Sequence, residues 1–338
     1  MNDYRECTTS KIYLGKYSDL YKIIYGIEPI FLIDSNVFNL YEDYFIDEKY
    51  ITIPSGEESK QLSSIEEIYV ELLYAGANRN SYIVGVGGGV TLDIAGFVAS
   101  TFMRGIRFGY VPTTLLAMAD ASIGGKNGVN IEEYKNIIGT FNPPEFILID
   151  PKFVETLLNK EIRSGYAEVI KHALIRKNKL FDFLRTNSER LLAKQPELTY
   201  DIIRTASQVK IDIVNQDEKE SDLRKILNFG HTLGHAIERI KDISHGEAVA
   251  IGMVFASNVS HHFGLIDEKY LCEIIQLIDL FKLPTKIDID KNMIADIMMK
   301  DKKRNKDTVD FVLLKGRGNT EIRSLTKSDL EELIGKFL

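Results

Sequence analysis

Short apolar runs alternate with amphipathic segments along the first half of the chain. Runs rich in β-branched and aromatic residues, which are typical of strands, occur at Ile12–Leu14, Pro29–Asp34, Tyr82–Val84, Phe108–Val111 and Phe146–Asp150. Apolar residues at helical spacing predict helices at Glu58–Tyr74 and Thr91–Phe102. This alternation of strands and helices is typical of a parallel sheet with helices on its faces. We therefore expect the first half to form an α/β domain.

The second half is dominated by long segments in which apolar residues recur every three to four positions. These segments predict helices at Glu161–Lys177, Leu198–Gln216, Asn228–Ile240, Glu247–Phe263, Glu268–Phe281 and Lys291–Lys300. Strand signals return only at Thr308–Leu314 and Glu321–Leu325, and their closeness predicts a hairpin. The change of pattern predicts two domains, a sheet domain over residues 1–157 and a mainly helical domain over residues 158–338.

The composition of this 338-residue chain argues against several classes of protein. Its formal net charge of −7 argues against nucleic-acid binding, which requires a basic face, but leaves small anionic substrates open. Cys7 and Cys272 are too few for a disulfide framework or a cysteine-based zinc site. The polar N-terminal segment, and the lack of any apolar run of about 18 residues, predict a cytoplasmic protein without a membrane span.

Three of the six histidines lie within Leu227–Met253. His231 and His235 are four residues apart at helical spacing, so their side chains share one face of a helix. His245 follows in a turn before the next apolar helix. Imidazoles gathered in this way suit a divalent metal of the zinc type, with a carboxylate as a further ligand. The alternative is that these histidines are core or capping residues.

A glycine cluster, Gly85–Val90, lies between a predicted strand and a predicted helix. Glycines there let the backbone approach a pyrophosphate, whose charge the helix N-terminus attracts. The spacing departs from the dinucleotide fingerprint, because Val90 or Leu92 stands where the last glycine is required, and a tight turn is equally compatible. Asp34, at the end of an earlier strand, suits a ribose hydroxyl, although aspartate there also commonly forms turns.

Polar groups beside a second glycine-rich stretch suit the binding of an anion. Asp120 and Lys126 lie within Met118–Asn130, which we expect to be irregular, and Lys135 and Asn136 follow soon after. Lysine and an asparagine amide beside a glycine loop suit phosphate or carboxylate. The other interpretation is an exposed polar loop.

The apolar helix predicted at Ser164–Ile175 carries two charged residues, Glu168 and Lys171. Their spacing of three residues is compatible with a surface ion pair. Because the surrounding residues are apolar, we instead expect both side chains to face inward, which makes Glu168 a candidate for the further metal ligand. Lys210 and Arg224 are additional candidates for binding an anion.

Five segments together resemble the 3-dehydroquinate synthase family, which belongs to the sugar phosphate cyclase superfamily. They read GGGVTLDIAGF, PTTLLAMADASIGGKNGVN, GYAEVIK, LNFGHTLGHAIE and HGEAVAIGM, and the resemblance extends from about Gly56 to Lys303. It implies a Rossmann-like NAD-binding domain followed by a helical metal- and substrate-binding domain, usually in a homodimer. The cofactors that it implies are NAD and a divalent metal, commonly zinc, with cobalt as the alternative.

The resemblance also assigns residues to each role. It implies that Glu168, His231 and His245 ligate the metal, whereas His235 acts on the substrate. The cofactor contacts that it implies are Asp34, Glu57, Lys60, Gly88, Gly89, Val90, Asp93, Thr113, Thr114, Leu116, Asp120, Lys135, Phe153, Thr156 and Leu157. The other catalytic and substrate-binding residues that it implies are Asp120, Lys126, Lys135, Asn136, Lys171, Lys210, Arg224, Asn228 and Lys302. Arg104 is expected to reach the site of the neighbouring subunit.

The reaction implied by the resemblance converts 3-deoxy-arabino-heptulosonate 7-phosphate into 3-dehydroquinate and phosphate, a step of the shikimate pathway of aromatic amino acid biosynthesis. Transient oxidation by NAD, elimination of phosphate, re-reduction and aldol closure make such an enzyme a carbon–oxygen lyase. The alternatives are another sugar phosphate cyclase, such as 2-deoxy-scyllo-inosose synthase, a metal-dependent polyol dehydrogenase, or an inactive NAD-binding protein. Arg224, the intact LNFGH run and Asp93 favour the carboxylate-bearing substrate.

Overall fold

The structure is a computed structural model that describes residues 3–132, 134–176, 179–300 and 308–338. The strands of the described residues are β1 (Asp3–Cys7), β2 (Ser10–Leu14), β3 (Pro29–Asp34), β4 (Lys49–Ile53), β5 (Tyr82–Gly87), β6 (Arg107–Pro112), β7 (Lys126–Ile131), β8 (Tyr134–Phe141), β9 (Phe146–Ile149), β10 (Thr308–Leu314) and β11 (Thr320–Thr326). The helices are α1 (Leu20–Ile23), α2 (Ser35–Leu40), α3 (Leu62–Tyr74), α4 (Gly89–Thr101), α5 (Asn159–Ile175), α6 (Leu180–Leu192), α7 (Pro196–Gln216), α8 (His231–Glu238), α9 (His245–His262), α10 (Glu268–Leu280), α11 (Lys291–Lys300) and α12 (Lys327–Phe337).

The chain divides into two compact units. The first comprises Met1–Leu157 and Thr199–Lys219, and the second comprises Leu158–Leu198 and Glu220–Leu338. Most of α7 therefore belongs to the first unit, whereas the sequence analysis placed this segment in the second domain. Helical spacing reveals that a segment forms a helix, but it does not reveal which neighbours the helix packs against.

Helix α7 is bound to the first hairpin of the chain. The Arg5 Nη1 atom donates a hydrogen bond of 2.7 Å to the backbone oxygen of Arg204. The backbone N–H of Thr8 donates to Oδ1 of Asn215 at 2.7 Å. These contacts join β1 and α7 within the first unit, across a long stretch of sequence that no local pattern connects.

The first unit contains a seven-stranded sheet in the order β1-β2-β9-β6-β5-β3-β4. β1 is antiparallel to β2, and the other neighbours are parallel. Strands of a parallel sheet are covered on both faces, which explains the continuous apolar runs of β3 and β9. The predicted parallel sheet is confirmed, but its edge strands β1 and β4 were not predicted because they alternate in burial or carry polar residues.

The order of the strands creates a switch point at β3. β4 pairs with one side of β3, whereas β5 pairs with the other side. Asp34 ends β3 and Gly87 ends β5, so both lie at the same edge of the sheet, where the winding changes direction. Open parallel sheets bind their ligands at this edge and at this point.

The glycine-rich stretch expected to be irregular, Met118–Asn130, forms defined structure. Its first part is a π-helical turn, Ala117–Ala121, and its last part is strand β7, which pairs with β8 in an antiparallel hairpin. The expectation of an irregular segment was therefore wrong for these two parts, although residues 122–125 between them are irregular. Gly139 of the partner strand β8 allows the hairpin to pair closely, because a Cβ atom there would lie only 2.4 Å from the backbone oxygen of Asn127. Glycine here allows two strands to approach closely and does not provide flexibility.

Helix α9 occupies the core of the second unit and is buried on most of its faces. It contacts α5, α8, α10 and β10. The predicted helices of this half are confirmed with shifted ends; α8 begins at His231, because Leu223–Asn228 forms a separate 3₁₀ helix. The predicted hairpin is confirmed as the antiparallel pair β10 and β11. Across the described part of the chain, no helix combines the length and the hydropathy needed to span a bilayer.

Candidate functional site

Glu168, His231 and His245 converge in the second unit. Glu168 lies on α5 and is fully buried, and the two histidines are the first residues of α8 and α9. Oε1 of Glu168 lies 3.4 Å from Nε2 of His231 and 3.2 Å from Nε2 of His245. Ligands held at zinc–nitrogen and zinc–oxygen bond lengths around a tetrahedral ion are separated by about 3.3 Å. The three donor atoms therefore fit a divalent cation.

Three glycines bring the helices that carry these side chains together. A Cβ atom at Gly252 of α9 would lie 1.9 Å from the backbone oxygen of Gly230, the residue that precedes α8. A Cβ atom at Gly246 would lie 2.4 Å from the Cα atom of Ser164 on α5. The backbone N–H of Gly246 also donates to Oγ of Ser164 at 3.1 Å. Helix α9 is thus held against both α8 and α5 at the ends that carry the cluster.

Lys171 adds a positive charge to the cluster through a buried ion pair with Glu168. Burial alone would raise the pKa of Glu168, but the charge of Lys171, together with the contacts that His231 and His245 make with the carboxylate, outweighs burial and holds that pKa well below its usual range. Burial, together with the charge of Lys171, lowers the pKa of His231. Glu168 and His231 are therefore already in the ionised and neutral forms that a metal ion requires.

His245 holds a proton between two carboxylates. Burial lowers its pKa, but the hydrogen bonds to Glu168 and Glu238 prevail and raise it to about 10. Its Nε2 atom faces Glu168, and its Nδ1 atom lies 3.5 Å from Oε2 of Glu238. A bound cation would replace the proton on the Glu168 side, because a ligating imidazole is neutral.

The second ring nitrogen of each candidate ligand has an acceptor nearby. Nδ1 of His231 lies 3.2 Å from the backbone oxygen of Phe229. Similarly, Nδ1 of His245 lies near the carboxylate of Glu238. Metal-bound histidines almost always use their other nitrogen in this way, which fixes the orientation of the ring. Sequence reasoning missed Glu238. A signal was present, because Glu238 follows His231 by seven residues and so lies on the same face of α8.

A second group of donor atoms, His235, Glu238 and His245, also lies within 4.8 Å. The ring centroids of His235 and His231 are 5.3 Å apart, so the pair expected from helical spacing does share one side of α8. The short distances, however, join His231 to His245 and Glu168, which come from other helices. The geometry of the first group therefore fits a metal ion better.

Predicted cofactor residues of the first unit gather at the edge of the sheet where the parallel strands end. Asp34 ends β3, and Gly88, Gly89 and Val90 follow β5 directly. The residues that follow β4 are Glu57 and Lys60, those that follow β6 are Thr113, Thr114 and Leu116, and those that follow β9 are Phe153, Thr156 and Leu157. Residues from separate parts of the sequence thus share the edge at which a dinucleotide would be expected.

The N-terminus of α4 suits a pyrophosphate. Within the described residues no side chain caps this helix, so its first N–H groups can bind an anion. The Oδ1 atom of Asp34 accepts from the backbone N–H groups of Asn36 and Val37, at 2.9 and 3.4 Å, and from the hydroxyl of Ser55. Its Oδ2 atom accepts from Thr91 Oγ1 at 3.3 Å. Asp34 therefore caps α2, as a turn former would, while lying beside the first turn of α4.

Lys60, which is buried, joins the half-buried Asp93 and the exposed Asn136 in a polar network. Nζ of Lys60 donates to Oδ2 of Asp93 and to Oδ1 of Asn136, each at 2.5 Å. Burial raises the pKa of Asp93, and Lys60 opposes that rise. Lys210 contacts Asp120 in a similar way, with Nζ 2.9 Å from the Asp120 carboxylate. The structure thus brings predicted cofactor and substrate residues into contact within the first unit.

Two family descriptions match adjacent parts of the chain. The model described as "3-dehydroquinate synthase N-terminal" matches residues 50–164, and "3-dehydroquinate synthase C-terminal" matches residues 165–304. The 3-dehydroquinate synthase of Thermoanaerobacter pseudethanolicus (strain ATCC 33223 / 39E) is 41% identical over 312 residues, which cover 88% of each chain. The chain belongs to the 3-dehydroquinate synthase family.

Two solved structures are similar to this member of the 3-dehydroquinate synthase family. The first is 2-epi-5-epi-valiolone synthase from Streptomyces hygroscopicus subsp. jinggangensis 5008 with NAD+ and Zn2+ bound; it has a TM-score of 0.90 and 27% identity, and covers 100% of this chain and 98% of its own. The second is 2-deoxy-scyllo-inosose synthase complexed with carbaglucose-6-phosphate, NAD+ and Co2+; it has a TM-score of 0.88 and 27% identity, with coverage of 99% and 100%. The fold and the resemblance expected from the sequence are both confirmed.

The remaining residues that a 3-dehydroquinate synthase would use are distributed over both units. Lys126 begins β7, and Lys135 lies on β8. In the second unit, Arg224 is buried and Asn228 donates to Oε1 of Glu220 at 2.6 Å. Arg104 is exposed at the end of α4. The last assigned residue, Lys302, lies outside the described residues.

Proposed function

We propose that this protein catalyses the 3-dehydroquinate synthase reaction, the conversion of 3-deoxy-arabino-heptulosonate 7-phosphate into 3-dehydroquinate and phosphate. Membership of the family supports this function, and the cluster of Glu168, His231 and His245 is the observation that carries the mechanism. Such an enzyme is a carbon–oxygen lyase that uses NAD and a divalent metal without net oxidation of its substrate.

The second unit supplies the metal ligands, Glu168, His231 and His245, in our proposal. A divalent cation held by two imidazoles and one carboxylate supplies a Lewis acid that lowers the pKa of a substrate hydroxyl. Zinc is our preferred ion and cobalt the alternative, because the two similar structures contain one or the other. Glu168 also forms a buried ion pair with Lys171, which partly balances the negative charge of this carboxylate.

The first unit supplies the nucleotide site in our proposal. NAD+ supplies a reversible acceptor of hydride when it is bound. The N–H groups at the start of α4, where the N-cap residue Gly88 has no capping side chain, would hold its pyrophosphate. The residues at the carboxyl ends of β4, β6 and β9 would contact the rest of the dinucleotide. Two similar structures contain NAD+, which supports this assignment.

The substrate groups are assigned by charge. Arg224 presents a buried guanidinium, whose planar donors suit a carboxylate. Lys126 and Asn136 would bind the phosphate, and His235 would accept the proton of the hydroxyl being oxidised, directly or through water. A substrate that lacks the carboxylate would leave Arg224 without its ligand, which favours the heptulosonate phosphate over a neutral sugar phosphate.

The oligomeric state and the location belong to the same proposal. We propose a homodimer in which Arg104 reaches the site of the neighbouring subunit; its exposed position at the end of α4 supports this role. A cytoplasmic location remains a prediction from the sequence.

Release of phosphate without accumulation of NADH is the decisive experiment. The purified protein, supplied with NAD+ and zinc, should release one phosphate per heptulosonate phosphate while absorbance at the NADH wavelength stays flat. Glucose 6-phosphate, tested in parallel, should be a poor substrate. Preferential turnover of glucose 6-phosphate would instead identify an inosose-type cyclase, and steady NADH formation with a simple polyol would identify a dehydrogenase.

A further inference from the structure

A bulge in β8 carries two of the predicted ligand-binding residues. Val129 pairs with Ile138 and Ile131 pairs with Tyr134, so Asn130 of β7 stands opposite three residues of β8. Lys135 and Asn136 lie in this bulge. Asn136 has a φ of 55°, a left-handed conformation that asparagine tolerates better than most residues. Bulges of this kind redirect side chains beside functional sites.

The side chain of Asn130 fills the space left in the ladder by the bulge. Its Oδ1 atom accepts from the backbone N–H of Asn136 at 2.8 Å, and its Nδ2 atom donates to Oε1 of Glu57 at 2.7 Å. Its own backbone N–H donates to the backbone oxygen of Lys60 at 2.7 Å. Asn130 itself is buried, whereas Glu57 and Asn136 are exposed, so its two side-chain hydrogen bonds are partly shielded from water.

The hydrogen bonds of Asn130 close a ring. Lys60 accepts from the backbone of Asn130, Asn130 accepts from the backbone of Asn136, and Oδ1 of Asn136 accepts from Nζ of Lys60. Lys60 also donates to Asp93 on the helix that follows the glycine cluster. One ring thus joins the segment after β4, the helix after β5 and the bulge of β8.

We propose that Asn130 is a positioning residue that couples the cofactor site to the phosphate site. This inference rests on the proposed function, which assigns Glu57 and Lys60 to the cofactor and Asn136 to the substrate. Asn130 sets the conformation of the Asn136 backbone with its oxygen and the position of Glu57 with its nitrogen. A displacement of Glu57 is therefore transmitted to the backbone of Asn136, and the reverse, through the planar side-chain amide of Asn130.

An amide can donate to a carboxylate through its nitrogen and accept from an N–H through its oxygen at the same time. Aspartate at this position would still accept from Asn136, but it would place a second negative charge against Glu57. Asn130→Asp therefore breaks the link to the cofactor side and keeps the link to the substrate side. Asn130→Ala breaks both links.

Asn127 provides a matched control. It lies on the same strand and is also buried, and its side chain accepts from Tyr110 Oη at 2.7 Å and donates to the backbone oxygen of Asn142 at 2.9 Å. It is not part of the ring. Asn127→Ala should lower the melting temperature without changing the affinity for either ligand.

The experiment measures the Kd of NAD+ by calorimetry, the KM and kcat for the heptulosonate phosphate, and the melting temperature of each zinc-loaded variant. Loss of one or two buried hydrogen bonds predicts that Asn130→Ala weakens NAD+ binding and raises the substrate KM, each by about tenfold. Asn130→Asp should weaken NAD+ binding by a similar factor. It should raise the substrate KM by less than half of the increase expected for Asn130→Ala.

Normal NAD+ affinity and normal KM in both Asn130 variants, with a fall in melting temperature like that of Asn127→Ala, would show a purely structural role and overturn the inference. Equal effects of Asn130→Asp on the two ligands would also contradict it. The calorimetric arm does not need turnover, so it still tests Asn130 if the wild-type protein releases no phosphate, a result that would count against the proposed function alone.

Discussion

The carboxylate of Glu238 lies 3.5 Å from Nδ1 of His245, the ring nitrogen that does not contact Glu168. The Glu238 side chain is only 6% exposed, so its charge acts on the imidazole with little screening by water. A carboxylate in this position orients a ligating histidine and makes it a stronger donor to a metal.

We therefore predict that Glu238→Gln weakens zinc binding by about 10–100-fold, since the amide retains the shape of the side chain but loses its charge. A competition titration with a chromophoric chelator measures this affinity. Glu332→Gln, an exposed change on α12, is the control and should bind zinc normally. Zinc affinity that is unchanged in Glu238→Gln would mean that Glu238 does not support the ligand.

The choice between the two groups of metal donors can be made with two single variants. His231→Ala should lose its metal during dialysis, because Nε2 of His231 is one of the proposed donor atoms and lies 3.4 Å from Oε1 of Glu168, which is another. His235→Ala should retain stoichiometric metal and lose turnover, because we assign His235 to the substrate. Elemental analysis after dialysis measures the metal content. The reverse pattern would assign the metal to His235, Glu238 and His245.

Gly252→Ala tests the close contact between α8 and α9. The new Cβ atom would lie 1.9 Å from the backbone oxygen of Gly230, so the helices must separate. We expect a loss of about 1–3 kcal/mol in the free energy of unfolding, measured by urea titration, together with weaker zinc binding.

Gly335→Ala is the control for this substitution, since Gly335 lies in α12 and, among the described residues outside its own turn of helix, no atom lies within 4 Å of its Cβ position. This change should stabilise the protein by about 0.5–1 kcal/mol, because alanine favours the helix more than glycine does. Equal effects of the two substitutions would contradict the role given to the Gly252 contact.

Arg104 offers a test of the proposed dimer. Met103, Arg104 and Gly105 all have positive φ angles, a strained turn that places an exposed arginine at the end of α4. Arg104→Ala and His235→Ala should each be nearly inactive alone. If Arg104 completes the partner's site, co-expression of the two variants should restore about one quarter of wild-type activity, because half of the dimers are mixed and each has one intact site.

Absence of any recovery in mixed dimers, confirmed by differential tagging, would place Arg104 in its own subunit's site. Size-exclusion chromatography with light scattering provides the independent measure of the oligomeric state.

Much of the sheet and of the helical half could be predicted because burial leaves a strong pattern. β3 and β5 are covered on both faces and are therefore almost wholly apolar, and the long helices repeat their apolar residues every turn. β8 left no such pattern, since nearly all of its residues are at least partly exposed. Its strand conformation depends on the glycine contacts with β7, which no local rule reveals.

Local sequence patterns also fail to show which of the histidines lie closest to one another in the metal cluster. Local spacing favours His231 with His235, because both lie on one helix. The distances instead join His231 with His245 and Glu168, which are separated from it by turns and by a different helix. Tertiary contacts at Gly230, Gly246 and Gly252 bring these side chains together. Residue patterns indicated the histidines and Glu168 as candidate ligands, but only the family resemblance separated His235 from them.

The donor atoms that the cluster offers determine which ions it suits. Glu168 offers a carboxylate oxygen, and His231 and His245 each offer an imidazole nitrogen. Calcium requires six to eight oxygen ligands at about 2.3–2.6 Å, and magnesium prefers an octahedron of oxygens. We therefore expect two imidazole nitrogens and one carboxylate oxygen to favour zinc or cobalt over the abundant alkaline-earth ions by donor type.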